Sequence, residues 1–360
     1  MKKVLVWGMG NTYQHWKEWF QQVEIIAFIN DSPQNKTYMF EGKPVIHSYQ
    51  IKEYEYDAIV VVVANINNIY SKMQELIRQG EEIEILSYKE NICEIDEKRD
   101  IVTVSFNNLA NVGDQLNSFM LDNLFNINVV MAPASEAQVM AIGSVLEELC
   151  NTKNKEEEED DSIAVWGTGF ISDHKEELSF IRKVNICALR GEKSKAIVEK
   201  ILGHTVDCVL ADAGLLVSKL YPVEEKVFDI GIVPHYVDLD SEVIENALRY
   251  YDNATLIDVT KNPSDVIRKI AQCKTVISSS LHGLIIADSF GIPNKWIRCS
   301  NKIIGNSFKF DDYYSSFNQQ VDVVDINKRY PSIKEIEEDY CIQSIAVQRK
   351  QRQLLQCFPL

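Results

Sequence analysis

Residues 276–283 read Val276-Ile277-Ser278-Ser279-Ser280-Leu281-His282-Gly283, and an apolar stretch, Leu284–Phe290, follows at once. An apolar run that ends in hydroxyls and resumes as a helix-length apolar segment is a strand feeding a helix. A strand with no polar alternation is buried on both faces, which requires helices on both sides of a parallel sheet. The pattern recurs upstream at Val4–Trp7, Asp57–Ala64 (DAIVVVVA), Ile101–Phe106, Val139–Ile142, Ile163–Trp166, Asn185–Ala188, Cys208–Leu210 and Val227–Pro234. Downstream, strands are expected at Thr255–Asp258 and Asn294–Ile297, with helices at Val243–Tyr250 and Ser264–Cys273. The chain is α/β throughout, an alternation that builds parallel sheets.

Its 360 residues suffice for two or three such units, each with its own core. In the first, a helix is expected over Gln14–Gln22, a strand over Ile25–Asn30, a helix over Asn68–Gln79 stopped by Gly80, and a strand over Glu84–Ser87. The charged stretch Glu90–Asp100 ends that unit, and the register restarts again after Tyr221 and Pro222. The expected division is 1–95, a small parallel α/β (Rossmann-like) domain; 96–224 and 225–332, two Rossmann-like halves with a cleft between them; and 333–360, a helical C-terminal segment. Within the second unit the acidic run in Lys155–Asp161 (EEEEDD) reads as a solvated loop.

Composition narrows the partners. Lys plus Arg number 37 against 53 Asp plus Glu, and the formal charge of −16 argues against nucleic acid or an anionic membrane. The eight cysteines stand singly, without a pair at zinc-binding spacing, and read as buried free thiols of a reducing compartment. Lys2 and Lys3 precede only a short apolar run before Gly8, too little for a signal peptide, and no stretch reaches the ~20 apolar residues of a membrane span. A cytoplasmic protein is expected, and a homo-oligomer is left open.

The chemistry-bearing residues sit at strand ends. Gly8-Met9-Gly10, with Asp31 after the second strand, would suit a phosphate and a ribose, but Tyr13 replaces the third glycine of the dinucleotide fingerprint. Nucleotide binding and a merely tight turn both remain open there. Asn111-Val112-Gly113-Asp114 opens a helix after the strand 101–106, and Asp114 reads either as its N-cap or as a base facing a substrate hydroxyl. Gly143-Ser144 and Gly167-Thr168-Gly169 place small residues beside the same cleft. Arg190 is either a surface residue or a fixed guanidinium for a carboxylate or phosphate. Ser278, Ser279, Ser280, the backbone at Gly283 and the helix dipole together make an anion site. An anion beside His282 would favour its protonated form, although a histidine there, like His235 after Pro234, also serves as a structural cap.

The order of these motifs resembles the polysaccharide pyruvyl transferase family over residues ~100–330. The resemblance is carried by Asn111-Val112-Gly113-Asp114, Ala141-Ile142-Gly143-Ser144, Val165-Trp166-Gly167-Thr168-Gly169, Leu189-Arg190-Gly191, Asp212-Ala213-Gly214, Gly231–Tyr236, Ser280–Asp288, Gly291-Ile292-Pro293 and Lys309–Tyr314. It implies a GT-B-like pair of Rossmann-like domains, here preceded by the small α/β domain. It also implies transfer of a pyruvyl group from phosphoenolpyruvate to a sugar or lipid-linked oligosaccharide, forming a ketal in exopolysaccharide or capsule biosynthesis, with neither metal nor cofactor. On that basis His282, Asp114 and Arg190 are the catalytic candidates. Ser278, Ser279, Ser280, Gly283, His235 and Lys309 are assigned to the donor, and Asn111, Gly113, Gly167 and Thr168 to the acceptor. Many members carry Arg before the Leu-His pair where this chain has Ser280, so that cationic contact is either missing or supplied from elsewhere, by Arg190, Lys274, Arg298 or Lys309. Residues 1–90 resemble small Rossmann-like modules fused to bacterial sugar-modifying enzymes, through Phe28–Ser32 and Gly42–Val45. A GT-B glycosyltransferase using a nucleotide sugar, or a non-catalytic glycan-assembly protein, are the alternatives.

Overall fold

The computed structural model describes the chain except residues 11–12, 15–16, 32–38, 63–71, 73–75, 77–78, 80, 82, 87–91, 95–100, 107–110, 126, 152–158, 174–176, 222–223, 303–304, 306 and 360. The strands are β1 (Lys3–Trp7), β2 (Glu24–Ile29), β3 (Met39–Phe40), β4 (Lys43–Ile46), β5 (Ala58–Val61), β6 (Ile83–Leu86), β7 (Ile92–Glu94), β8 (Ile101–Ser105), β9 (Asn128–Met131), β10 (Val139–Met140), β11 (Cys150–Asn151), β12 (Glu159–Thr168), β13 (Ser179–Phe180), β14 (Arg182–Leu189), β15 (Val209–Leu210), β16 (Phe228–Val233), β17 (Ala254–Leu256), β18 (Cys273–Ser278), β19 (Asn294–Arg298) and β20 (Val324–Asp325). The described α-helices are α1 (Val112–Phe125), α2 (Glu192–Leu202), α3 (Glu242–Tyr250), α4 (Pro263–Ala271), α5 (Leu281–Ser289), α6 (Phe308–Ser315), α7 (Ile333–Asp339) and α8 (Ser344–Gln356).

The chain forms two compact units, Met1–Ile101 with 108–110, and the remainder to Leu360. In the first, β4, β2, β1, β5 and β6 lie side by side in parallel, with β3 and β7 added antiparallel at the edges. Its core gathers Val4, Val6, Phe28, Val60 and Tyr13. Of the expected helix 14–22, Gln14 is helical with Tyr13, residues 15–16 lie outside the described residues, and Trp19–Gln22 form a short 3-10 turn; the helix 68–79 with its stop at Gly80 falls largely outside the described residues.

The second unit holds two main sheets and a small antiparallel pair, β11 with β13. The order β15-β14-β12-β10-β8-β9 forms the first, and β17-β16-β18-β19-β20 forms the second, parallel throughout. These are the two Rossmann-like halves of a GT-B-like fold. One apolar core runs through both, from Val104, Leu116 and Trp166 to Val233, Leu284, Ile285 and Tyr313. Each of the largest of these side chains contributes about 1.5–3 kcal/mol relative to exposure. The C-terminal segment divides into two helices rather than one. Trp166 Nε1 donates to Leu354 O at 3.0 Å and Gln351 to Leu215 O at 2.7 Å, tying α8 to the first half, while Lys295 reaches Asp339 at the end of α7 at 2.6 Å. The acidic run is also not wholly a loop. Its last residues, Glu159–Asp161, begin β12. The earlier part lies outside the described residues.

Candidate active site

The site is built where β18 hands over to α5. Ser278 is wholly buried, its Oγ within 2.8 Å of Val233 O and 2.7 Å of Ser280 O, and it accepts Ser280 N–H at 3.0 Å. Ser279 Oγ accepts His235 N–H at 2.9 Å. A buried hydroxyl must be hydrogen-bonded, so the fold itself engages two of the three serines expected to greet an anion. Ser280, the N-cap of α5, makes no side-chain cap bond and is the serine whose hydroxyl stays available. Gly283 is required by packing. A Cβ there would stand 2.4 Å from Ser278 Oγ and 2.7 Å from a Val233 methyl, so the helix can start this close to the sheet only without a side chain. His235 caps the following turn, its Nδ1 receiving Val237 N–H at 3.4 Å, and burial with the Lys309 charge pushes its pKa down to about 4.

Four cations were candidates for the role left open by Ser280, and the structure separates them. Lys274 is exposed and paired with Asp229 at 2.7 Å, and Arg298 is exposed at the end of β19. Arg190 is buried completely and fully engaged. Its Nε meets Asp312 at 2.9 Å, Nη1 meets Ser144 Oγ at 2.6 Å, and Nη2 donates to Phe170 O. The expectation that Arg190 grips a substrate directly is therefore corrected, because every nitrogen already serves a protein acceptor. Asp312 in turn accepts from Ser194 N at 2.8 Å and Ser194 Oγ at 2.6 Å, which pins α6 to the start of α2. Lys309 precedes Asp312 by one turn of α6 and so shares its inward face. It is buried, it has no hydrogen bond or ion pair among the described residues, and burial with the Arg190 charge lowers its pKa to about 8.

Across from α5, the first turn of α1 brings Asn111, Gly113 and Asp114. Asn111 donates to Asp114 Oδ2 at 2.5 Å and accepts Asp114 N–H at 3.2 Å, and Asn117 bonds Ile142 in both directions at 2.8 and 3.0 Å. Asp114 is thus held by Asn111 rather than capping the helix itself. Burial pushes its carboxyl up to about 7, with the Glu148 charge adding and Asn111 and Lys309 opposing. Gly113 is where the halves meet. A Cβ on it would lie 2.2 Å from His282 Nδ1. His282 keeps 12% of its side-chain surface, and burial, aided by Arg190 and Lys309, pushes its pKa down to about 3. In the ligand-free protein the ring is neutral, opposite to the state expected beside an anion.

The remaining predicted residues are supporting ones. Gly167 has φ of +92° and a Cβ there would come 2.6 Å from Ala213 N, while the buried Thr168 donates to Gly143 O at 2.9 Å. Both are buried and engaged by the fold itself. In the first unit Gly8 has φ of +125°, Gly10 is exposed, and Asp31 Oδ1 accepts Ser48 N–H at 2.7 Å. Sequence reasoning assigned no role to Asp212, Asp312 or Glu148. Asp212 and Asp312 stood within the quoted motifs, but nothing in the spacing pairs Asp312 with Arg190, 122 positions away. The described thiols are free, and burial raises those of Cys150, Cys273 and Cys299 to about 12.

A helix start with an unengaged hydroxyl, a buried lysine and a neutral imidazole thus lies between the two sheets of a two-lobed α/β unit. The chain belongs to the polysaccharide pyruvyl transferase family, which matches residues 73–301. A second family, described as C2185-like, N-terminal, matches residues 1–84. Lys309 and Asp312 lie beyond the matched stretch. The chain is 27% identical to an uncharacterized protein of Acanthamoeba polyphaga mimivirus over 59% of its own length and 73% of that protein's. It is 28% identical to the succinoglycan biosynthesis protein ExoV of Rhizobium meliloti, over 57% of this chain and 60% of that one. Among solved structures, a UDP-D-quinovosamine 4-dehydrogenase from Vibrio fischeri matches 27% of this chain and 95% of its own at 18% identity and a TM-score of 0.23, a likeness too slight to carry an argument. The family implies a transferase of polysaccharide modification. Among the described residues no helix is long and apolar enough to cross a membrane.

Proposed function

We propose that the protein transfers a pyruvyl group from phosphoenolpyruvate to two hydroxyls of a sugar or lipid-linked oligosaccharide, in the cytoplasm, forming a pyruvate ketal in exopolysaccharide or capsule biosynthesis. The observation that carries this reading is the buried, unpaired ammonium of Lys309 acting on the same imidazole that opens α5. The donor carries a phosphate and a carboxylate. Lys309, Ser280 Oγ and the unpaired N–H groups of the first turn of α5 are the matching donors. Arg190 acts at one remove, through its field and by fixing α6.

Once the donor's negative charge offsets the two cations, the imidazole can take a proton. That proton passes to the donor's methylene carbon, giving a methyl group and an oxocarbenium at C2. The first sugar hydroxyl adds to C2 and yields its proton to Asp114, which Asn111 orients. The bond from C2 to the phosphate oxygen breaks, and the second hydroxyl adds to the regenerated oxocarbenium. Of the two hydroxyl protons, one restores the imidazolium and the other leaves on inorganic phosphate. The chemistry so written uses no cofactor. Water is kept out by the apposition of Gly113 and His282.

Incubating the protein with phosphoenolpyruvate and acceptor glycans should release phosphate and produce a ketal methyl signal in the proton NMR spectrum. Release of nucleoside diphosphate from a nucleotide sugar instead, or donor binding without turnover on a panel of sugars, would overturn the assignment.

A further inference from the structure

His282 Nε2 and Asp212 Oδ2 are buried polar atoms without a hydrogen-bond partner, and they stand 3.9 Å apart. That is too long for a hydrogen bond, yet a single small movement would satisfy both orphans. Asp212 is wholly buried and cannot swing away, because its other oxygen accepts Gly214 N–H at 2.8 Å and caps the 3-10 turn Ala213–Lys219. Gly214 borders the ring without being required by it: a Cβ there would crowd Asp212 Oδ1 at 3.0 Å and Ile285 Cγ2 at 3.2 Å but would stand at ordinary contact, 3.7 Å, from His282 Cδ2. On the opposite side the Nδ1 edge rests against Gly113. The imidazole therefore lies with Nδ1 toward Gly113 and Nε2 toward Asp212.

We infer that Asp212 is the positioning residue for His282: after a shift of about 1 Å its Oδ2 accepts a hydrogen bond from Nε2–H, which leaves Nδ1 to give and recover the proton and sets a carboxylate against the imidazolium charge. The identity of the proton's destination rests on the pyruvyl-transfer reading, whereas the pairing of the two groups does not. The charges acting on the ring are Asp212, Arg190 after β14 and Lys309 on α6. In the ligand-free protein burial pushes His282 down to about 3, which keeps the ring neutral, and pushes Asp212 up to about 7, so that its carboxyl ionises as pH rises through that value. A donor that neutralises Arg190 and Lys309 removes part of that bias, and Asp212 is then the carboxylate best placed to hold the ring in its charged form.

The test is nitrogen NMR of the full chain with 15N-labelled histidine, in which His282→Gln identifies the His282 signals among six histidines. At about pH 8.5, where Asp212 is ionised, the ligand-free wild type should show the Nε2–H tautomer, and Asp212→Asn should lose that preference. Turnover of phosphoenolpyruvate should fall about tenfold or more in Asp212→Asn, with KM for the donor changed less than about threefold. An Nδ1–H tautomer in the wild type overturns the inference whether or not the variant folds, as does a variant with unchanged kcat. If the wild type shows the tautomer but no phosphate release, the pairing stands and the donor assignment falls.

Discussion

Two turns in this chain follow the central strand of a parallel sheet, and their polar atoms are disposed of differently. After β1, Gly8 turns the chain, Asp31 receives Ser48 N–H, and Tyr13 takes the place of a third glycine with its ring against Phe20 and Phe28 at 5.0 and 5.1 Å and its hydroxyl on Glu41 at 2.7 Å. The polar groups named there are matched by the protein itself. After β18, by contrast, Ser280 Oγ, His282 Nε2 and Lys309 Nζ have no hydrogen bond or ion pair among the described residues, although the charge of Asp114 acts on Lys309. Buried polar groups left unmatched are costly, of order 1–3 kcal/mol each, so their concentration at one turn is what a ligand site requires and a structural turn avoids. The difference separates a site from a look-alike better than glycine spacing does.

The comparison breaks most visibly at the imidazole. His282→Ala should cut phosphate release from phosphoenolpyruvate by about 10²–10⁴-fold with little change in the thermal midpoint, since the ring's Nε2 contributes no hydrogen bond to the fold. Gly113→Ala should come close to it, because the new methyl would lie 2.2 Å from Nδ1 and must displace the ring. Activity within twofold of wild type in both variants would mean that the chemistry lies elsewhere.

Next in size is Lys309→Met, which keeps the length of the side chain and removes its charge. One charge-assisted bond is worth about 1.5–3 kcal/mol, so KM for the donor should rise about 10- to 100-fold, with a smaller effect on kcat. Arg298→Met, at an exposed position, should leave KM as it was. Were the two results exchanged, the cation that replaces the family's arginine would be Arg298 and not Lys309.

The sheets were legible because strands buried on both faces have no polar alternation, and the structure places β8, β12, β14, β16 and β18 on the runs read that way. The turns of the site were legible as turns. Which of their side chains stay unengaged was not, because engagement depends on partners remote in sequence. Arg190 looked unpaired until α6 brought Asp312 to it, and Ser278 and Thr168 looked available until Val233 and Gly143 offered carbonyls. Asp212 gave no sign at all, since its value lies in the one oxygen that Gly214 leaves unused.

A smaller effect tests the electrostatics of the same turn. The folded pKa of Asp114 is raised to about 7, above the ~3.9 of an unfolded aspartate, so between those values the native state binds more protons than the unfolded chain. Its contribution is therefore fully present below about pH 4 and is lost as pH rises through 7. Asp114→Asn removes that dependence, and the variant's thermal midpoint should gain on the wild type steadily from pH 4 to pH 8. A difference that does not vary with pH would show that Asp114 ionises as freely in the fold as outside it.

The smallest effect expected is at Gly10→Ala. A Cβ at Gly10 meets nothing within 4 Å, its backbone does not lie at positive φ, and it is exposed. Stability should stay within about 0.5 kcal/mol of wild type, and phosphate release should not change. The pairing with Gly113→Ala makes this informative: both glycines belong to turns that follow a strand, and spacing alone would rank Gly10, in its Gly-x-Gly, above Gly113. If Gly10→Ala abolished turnover while Gly113→Ala did not, the first unit would hold the reacting ligand, and the unmatched atoms after β18 would need another explanation.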